Sequence, residues 1–176
     1  DGTMSFGIKN VKELVQKLKH ENATLLDSNA PLAGWGLDPI YFDDKALDRK
    51  ILDLVSDQRP IGILHASGHK LNINSVGLKL AGFLRTGINH EGLPLGDDGL
   101  PSGEIRGAET IALVTRHVGL GKDWLSGDAE GLRNFGKICA RAGVTTAADL
   151  ANLQTDEAVE MMLKVCLLYT SDAADE

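Results

Sequence analysis

The sequence predicts an α/β fold. Apolar residues recur at helical spacing in several segments, and short apolar runs rich in β-branched residues fall between them. Glycine or proline separates the two kinds of segment. Strands alternating with helices further predict parallel pairing. The chain has 176 residues, 43% hydrophobic and 24% charged, which suits one soluble globular domain with a real core.

Asn10 and Glu13 have the spacing of a capping box. Val11, Leu14, Val15 and Leu18 follow at i, i+3, i+4 and i+7, so an amphipathic helix is expected to end near His20. Leu32–Gly36 is a short strand candidate. Leu47, Ile51, Leu54 and Val55 space as a second helix, which Pro60 breaks. Ile61–Ala66 reads as a buried strand. A third helix begins at Asn74 or Ser75, either of which could cap it, and stops at Gly82. Gly87–Gly107 is rich in glycine, with Asp98-Gly99 as its clearest hairpin turn. Ile111, Val114 and Val118 mark a fourth helix stopped by Gly119. A fifth runs from Asp128 to Ala142, with Leu132, Phe135 and Cys139 on one face and Gly143 as its stop. Val144–Ala148 has the β-branched content of a strand, and Thr155 caps a last helix carrying Val159, Met162 and Leu163. There is no internal repeat and no low-complexity linker.

The net charge of −7 argues against a nucleic-acid partner. No apolar stretch approaches a membrane span and no signal peptide is visible. Cys139 and Cys166 form no motif, which implies either a reducing compartment or no bearing on it, and a cytoplasmic setting is expected. The histidines, at positions 20, 65, 69, 90 and 117, show no HxH, HxxH or HExxH spacing. His65 and His69 are i, i+4, but Gly68 and the strand-like Ile61–Ala66 argue against the helix that would pair them on a metal.

The stretch "LHASGHKLNINS", Leu64–Ser75, ends an apolar run on a Ser-Gly turn that delivers His69. One reading has the imidazole facing a substrate; the other has it bonded to a nearby carbonyl, holding the turn. Trp35 and Asp38 are candidates for a pocket wall, although an aromatic after a glycine also packs. Asp149 sits after a strand candidate, where it could cap or serve chemistry, with the cap favoured. His65 reads as a satisfied core histidine, and Asn74 as a helix cap contributing about 1 kcal/mol.

Four phrases occur in order: "GWGLDP" (34–39), "SDQRPIGILHASGHKLNINSVGLKLAG" (56–82), "GLPSGEIRG" (99–107) and "AGVTTAADL" (142–150). This set resembles the metal-dependent amidohydrolases of the amidohydrolase-3, or YtcJ-like, group, from about Asn10 to Lys164. The resemblance implies a partial TIM-type (β/α) barrel, its early strands and helices, with a large α+β insertion lobe at about residues 30–110. It implies hydrolysis of a non-peptide amide or N-acyl C–N bond in a small-molecule substrate, by water that a divalent metal, zinc first, activates. It places an HxH pair before Asp1 and the later His and Asp ligands beyond the chain, so residues 1–165 are expected to be a fragment without a metal of its own and inactive alone. The substrate-pocket candidates are then His69, Trp35 and Asp38, and a homo-oligomer is left open. Many relatives carry Glu a few residues beyond the counterpart of Gly103; Gly107 falls there, between Glu104 and Glu109. Neither acid is assigned to metal, and Glu109 suits a helix start.

Two other classes compete. One is a self-contained non-enzymatic α/β binding domain, which an in-frame HxH upstream would rule out. The other, a nucleotide-binding enzyme, lacks any GxGxxG or GxxxxGK[ST] after a strand. The closing string "CLLYTSDAADE" resembles a translated sequencing adapter, so Cys166–Glu176 is expected to be a non-native read-through tail. Deleting it is expected to change the unfolding free energy by less than about 1 kcal/mol in a denaturant titration.

Overall fold

Asn10 opens the first helix as its spacing predicts. Its Oδ1 accepts from the Glu13 N–H at 2.8 Å, and its Nδ2 donates to Glu13 Oε1 at 3.2 Å. This helix, α1 (Val11–Thr24), buries Leu14 and Leu18 and runs past His20. The Lys17–Glu21 ion pair at 2.9 Å supports the added turn, and the Thr24 hydroxyl donates to the Glu21 carbonyl at 2.8 Å. The computed structural model describes residues 7, 8, 10–27, 29–41, 47–120, 129–148 and 155–171. They fall into two compact units, Asp1–Leu125 and Ser126–Glu176.

The first unit is a mixed α/β unit built on a 4-stranded sheet: β1 (Leu32–Leu37), β2 (Ile61–His65), β3 (Lys70–Ile73) and β4 (Glu104–Arg106), in that spatial order. The parallel pairing expected throughout holds only for β1 and β2, where Leu32 lies opposite Ile61. β2–β3 and β3–β4 are antiparallel. Chain length explains the difference. Residues 38–60 and the short helix α2 (Arg49–Asp53) give β1–β2 its crossover. Only Ala66–His69 joins β2 to β3, too short to return parallel. The described strands form an open sheet and not a closed barrel.

The sheet separates two cores. Ile61 and Ile63 pack with Leu32, Leu14 and Leu18 on one face, toward α1 and α2. Leu64, Leu71, Ile73 and Ile105 pack on the other, toward α3 (Ser75–Leu80) and α4 (Ala108–Thr115). Alternate residues of β2 thus enter opposite cores, and every residue of the strand is buried.

Asn74 joins these parts. It is fully buried and is the N-cap of α3: its Oδ1 accepts from Gly77 N–H and Ile61 N–H, both at 3.0 Å. Its Nδ2 donates to the Arg59 carbonyl at 2.9 Å and the Ser56 carbonyl at 3.1 Å. Ser75, the other cap candidate, instead donates from its backbone N–H and its hydroxyl to the Asp53 carboxylate, at 2.8 and 2.6 Å.

In the second unit, α5 (Ala129–Arg141) is stopped as the sequence predicts. Gly143 has φ 73°, and the Val144 N–H reaches back to the Cys139 carbonyl at 2.9 Å. The strand expected at Val144–Ala148 is absent: the segment is exposed and unpaired among the described residues. Its β-branched residues have no neighbouring strand there, and β preference without a partner does not make a strand. Thr155 Oγ1 accepts from the Ala158 N–H at 3.3 Å and caps α6 (Asp156–Ser171), whose backbone enters the expected tail. Asp128 and Asp149 lie outside the described residues.

The Asn74 bonds set a larger cost than a surface cap would. Asn74→Ala leaves two buried N–H groups, one buried carbonyl and one half-buried carbonyl to find new partners, so it is expected to lower the unfolding free energy by more than about 3 kcal/mol. Chemical denaturation of wild type and variant checks this.

Candidate functional site

Because β1 and β2 are parallel, their carboxyl ends lie at one end of the sheet. Leu37 sits opposite His65, and the Ala66 N–H donates to the Leu37 carbonyl at 2.9 Å. Asp38 follows β1 directly, and the Ala66–His69 turn follows β2. The carboxyl ends of parallel strands are where α/β sheets place ligands. The pairing register shifts between Trp35 and Leu37, a bulge that turns Leu37 toward the α1 core beside Ile63.

A cleft of about 890 Å³ opens between α1 and β1. Leu14, Leu18, Leu32 and Ile63 form its apolar floor, and Trp35 and Asp38 line it. Trp35 is 69% exposed. Asp38 is half-buried and accepts from the Ile40 N–H at 3.1 Å, which turns the chain into a short 3-10 segment, Pro39–Tyr41. Lys17 and Glu21 stand on the α1 side. The Lys17 hydrogen bond and charge hold the Glu21 carboxyl below its ordinary range.

His69 is exposed at the β2–β3 turn and is not among the cleft's lining residues. The turn is held by its backbone: the His69 N–H donates to Ser67 Oγ at 3.3 Å, and its carbonyl accepts from the Gly107 N–H at 2.9 Å. The structure therefore brings Trp35 and Asp38 into one cleft and sets His69 at the same end of the sheet, outside it.

His65 is a satisfied core histidine. It is 5% exposed, and its Nε2 meets Asn72 Oδ1 at 2.6 Å while Asn72 Nδ2 donates to the Leu47 carbonyl at 2.6 Å. Since Asn72 Oδ1 can only accept, the proton sits on Nε2. Glu104 lies on β4, at 2.5 Å from Arg106 Nε and 3.6 Å from Lys70 Nζ. Burial pushes its carboxyl up, and the Arg106 hydrogen bond with the Lys70 and Arg106 charges outweighs that and holds it low. Glu109 occupies the first turn of α4, as a helix-start carboxylate should.

Sequence reasoning missed a charged clamp around Arg49, which is 7% exposed. Its Nε donates to the Pro101 carbonyl at 2.9 Å, one terminal nitrogen to Ser75 Oγ at 3.1 Å and the other to the Asp98 carboxylate. Lys50 Nζ also meets Asp98, at 3.1 Å. A buried arginine leaves no local sequence signal; only the Asp98-Gly99 turn hinted at one side of it.

Among the described residues no group of three or more His, Cys, Asp or Glu side chains converges as a metal site. The described residues alone therefore do not fit a resident cation, and no chemical step is assigned to one. No described helix is long and apolar enough to cross a membrane.

No protein-family model matches the chain, and no curated protein matches it. Solved structures similar to it include an uncharacterized metal-dependent hydrolase from Pyrococcus horikoshii OT3, at 15% identity and TM-score 0.47, over 95% of this chain and 29% of that one. Another is an uncharacterized metal-dependent hydrolase from Pyrococcus furiosus, at 17% identity and TM-score 0.47, over 96% of this chain and 31% of that one. The chain thus spans 29% and 31% of the lengths of these two proteins.

The clamp makes a pH prediction. The Lys50 and Arg49 hydrogen bonds, with the Leu100 N–H, lower the Asp98 carboxyl from 3.8 to about 2. A depressed carboxylate stabilises the fold above its unfolded pKa and loses that contribution as pH falls through the folded value. The Tm difference between wild type and Asp98→Asn is therefore expected to be constant above about pH 5 and to vanish as pH approaches about 2. A thermal melt series from pH 7 downward measures it.

Proposed function

We propose that the chain is part of a metal-dependent hydrolase that cleaves non-peptide amide or N-acyl bonds of small molecules. Trp35, Asp38 and His69 form its substrate-facing side, and the metal ligands come from polypeptide outside this chain. In this reading the sheet belongs to an insertion lobe, with elements of a (β/α) barrel before and after it in sequence. One observation carries the reading. Two of the phrases that resemble the amidohydrolase-3 group, "GWGLDP" and "RPIGILHASGHKLNINS", supply the two parallel strands, and their polar residues Asp38 and His69 leave at the same carboxyl end. Backbone bonds hold the His69 turn, which leaves the imidazole available to donate to a substrate carbonyl or carboxylate.

The test compares the chain with the same reading frame extended in both directions. The chain alone is expected to retain no stoichiometric zinc through chelator dialysis and to hydrolyse nothing. The extended frame is expected to contain an HxH upstream and, loaded with zinc, to cleave N-acyl or cyclic amides. In that protein His69→Gln should lower kcat/KM by about 10- to 1000-fold. Its zinc content and Tm should stay unchanged, because the ring is exposed. Stoichiometric zinc in the chain alone, no HxH upstream, or full activity in His69→Gln each contradicts the assignment.

A further inference from the structure

We infer that the cleft between α1 and β1 binds a small organic cation with an apolar body, an alkyl- or arylammonium, through Asp38 and Trp35. The inference rests on the reading above in taking this cleft as a substrate wall. Among the described residues three charged side chains line the cleft. Lys17 and Glu21 neutralise each other at 2.9 Å, so Asp38 is the charge left over. Among the described residues no cation pairs with Asp38, and its bond to the Ile40 N–H uses one oxygen. The second oxygen can accept from an ammonium. Trp35, 69% exposed, lines the same cleft and can offer its aromatic face to that cation. The floor of Leu14, Leu18, Leu32 and Ile63 takes the apolar body, and about 890 Å³ is the size of a small-molecule site. An anionic ligand would be repelled by Asp38. A neutral alcohol can donate one hydrogen bond to the carboxylate but brings no charge to it.

Calorimetric titration of the chain with 4-phenylbutylamine, 4-phenylbutanol and 4-phenylbutyrate tests the site. The three share an apolar body and differ in end charge. The amine is expected to bind at least about tenfold tighter than the alcohol, because its hydrogen bond to Asp38 is also an ion pair, and the carboxylate weakest. Asp38→Asn keeps an oxygen for the Ile40 N–H and should abolish the amine's advantage at unchanged Tm. Trp35→Leu should weaken the amine more than the alcohol. Equal affinities for amine and alcohol, an amine preference that survives Asp38→Asn, or no binding at millimolar concentration overturns the inference. Amine binding by the chain, combined with no amide hydrolysis by the extended frame, would sink the catalytic reading and leave this site standing.

Discussion

The carboxamide of Asn74 is the constraint on which the first unit depends. β2 begins, β3 ends and α3 starts at one point, and each transition frees backbone groups that the regular ladder or helix would have used. Asn74 meets them together: Oδ1 takes the N–H of Ile61 and of Gly77, and Nδ2 takes the carbonyls of Ser56 and Arg59. Its own N–H donates to the Ile61 carbonyl at 3.0 Å, so Asn74 pairs with Ile61 through main chain and side chain at once. Only a carboxamide has two donors and two acceptor positions on so short a stem. Aspartate could not donate, serine would leave one carbonyl unmet, and glutamine would carry the amide too far.

This residue also marks where sequence reading stops. That Asn74 caps a helix was legible, because capping is a contact three residues long. Its bonds to Ser56, Arg59 and Ile61 were not, because they exist only once the chain has folded back. The same division runs through the fold. β1, β2, α1 and α3 follow from local apolar spacing and caps. β3 and β4 escaped notice because "KLNI" and "EIR" are too short for a period of two to show. Val144–Ala148 erred the other way, since its composition favours a strand that no neighbour completes. Of the candidate site, Trp35 and Asp38 were legible only as part of "GWGLDP", one of the phrases that carry the family resemblance. Their shared cleft depends on α1 packing across β1, which no local pattern records.

A second joint sets the far side of the sheet. Arg49 is buried, and its guanidinium spans α2, the start of α3 and the turn at Asp98. The backbone reinforces it: the Arg49 N–H donates to the Ser102 carbonyl at 2.8 Å, and Ile73 N–H to the Gly103 carbonyl at 2.8 Å. The chain passes so closely here that a Cβ on Gly103 would lie 2.5 Å from the Ile73 carbonyl, and Gly103 has φ 97°. Glycine is required on both counts. Within the phrase "GLPSGEIRG", Gly103 is thus a packing requirement of this joint.

The same logic bears on His69. Gly107 has φ 83° and stands at the start of α4, where its N–H holds the His69 carbonyl. Any residue with a Cβ, glutamate included, would be strained at that φ. In this chain the position serves as an anchor for the β2–β3 turn. The main chain of the turn is fixed to α4 on one side and to Ser67 on the other, and among the described residues the imidazole adds no bond to it. The exposed ring thus stands at the carboxyl end of the parallel strand pair with no bond of its own among the described residues, which is what the proposed substrate role requires of it.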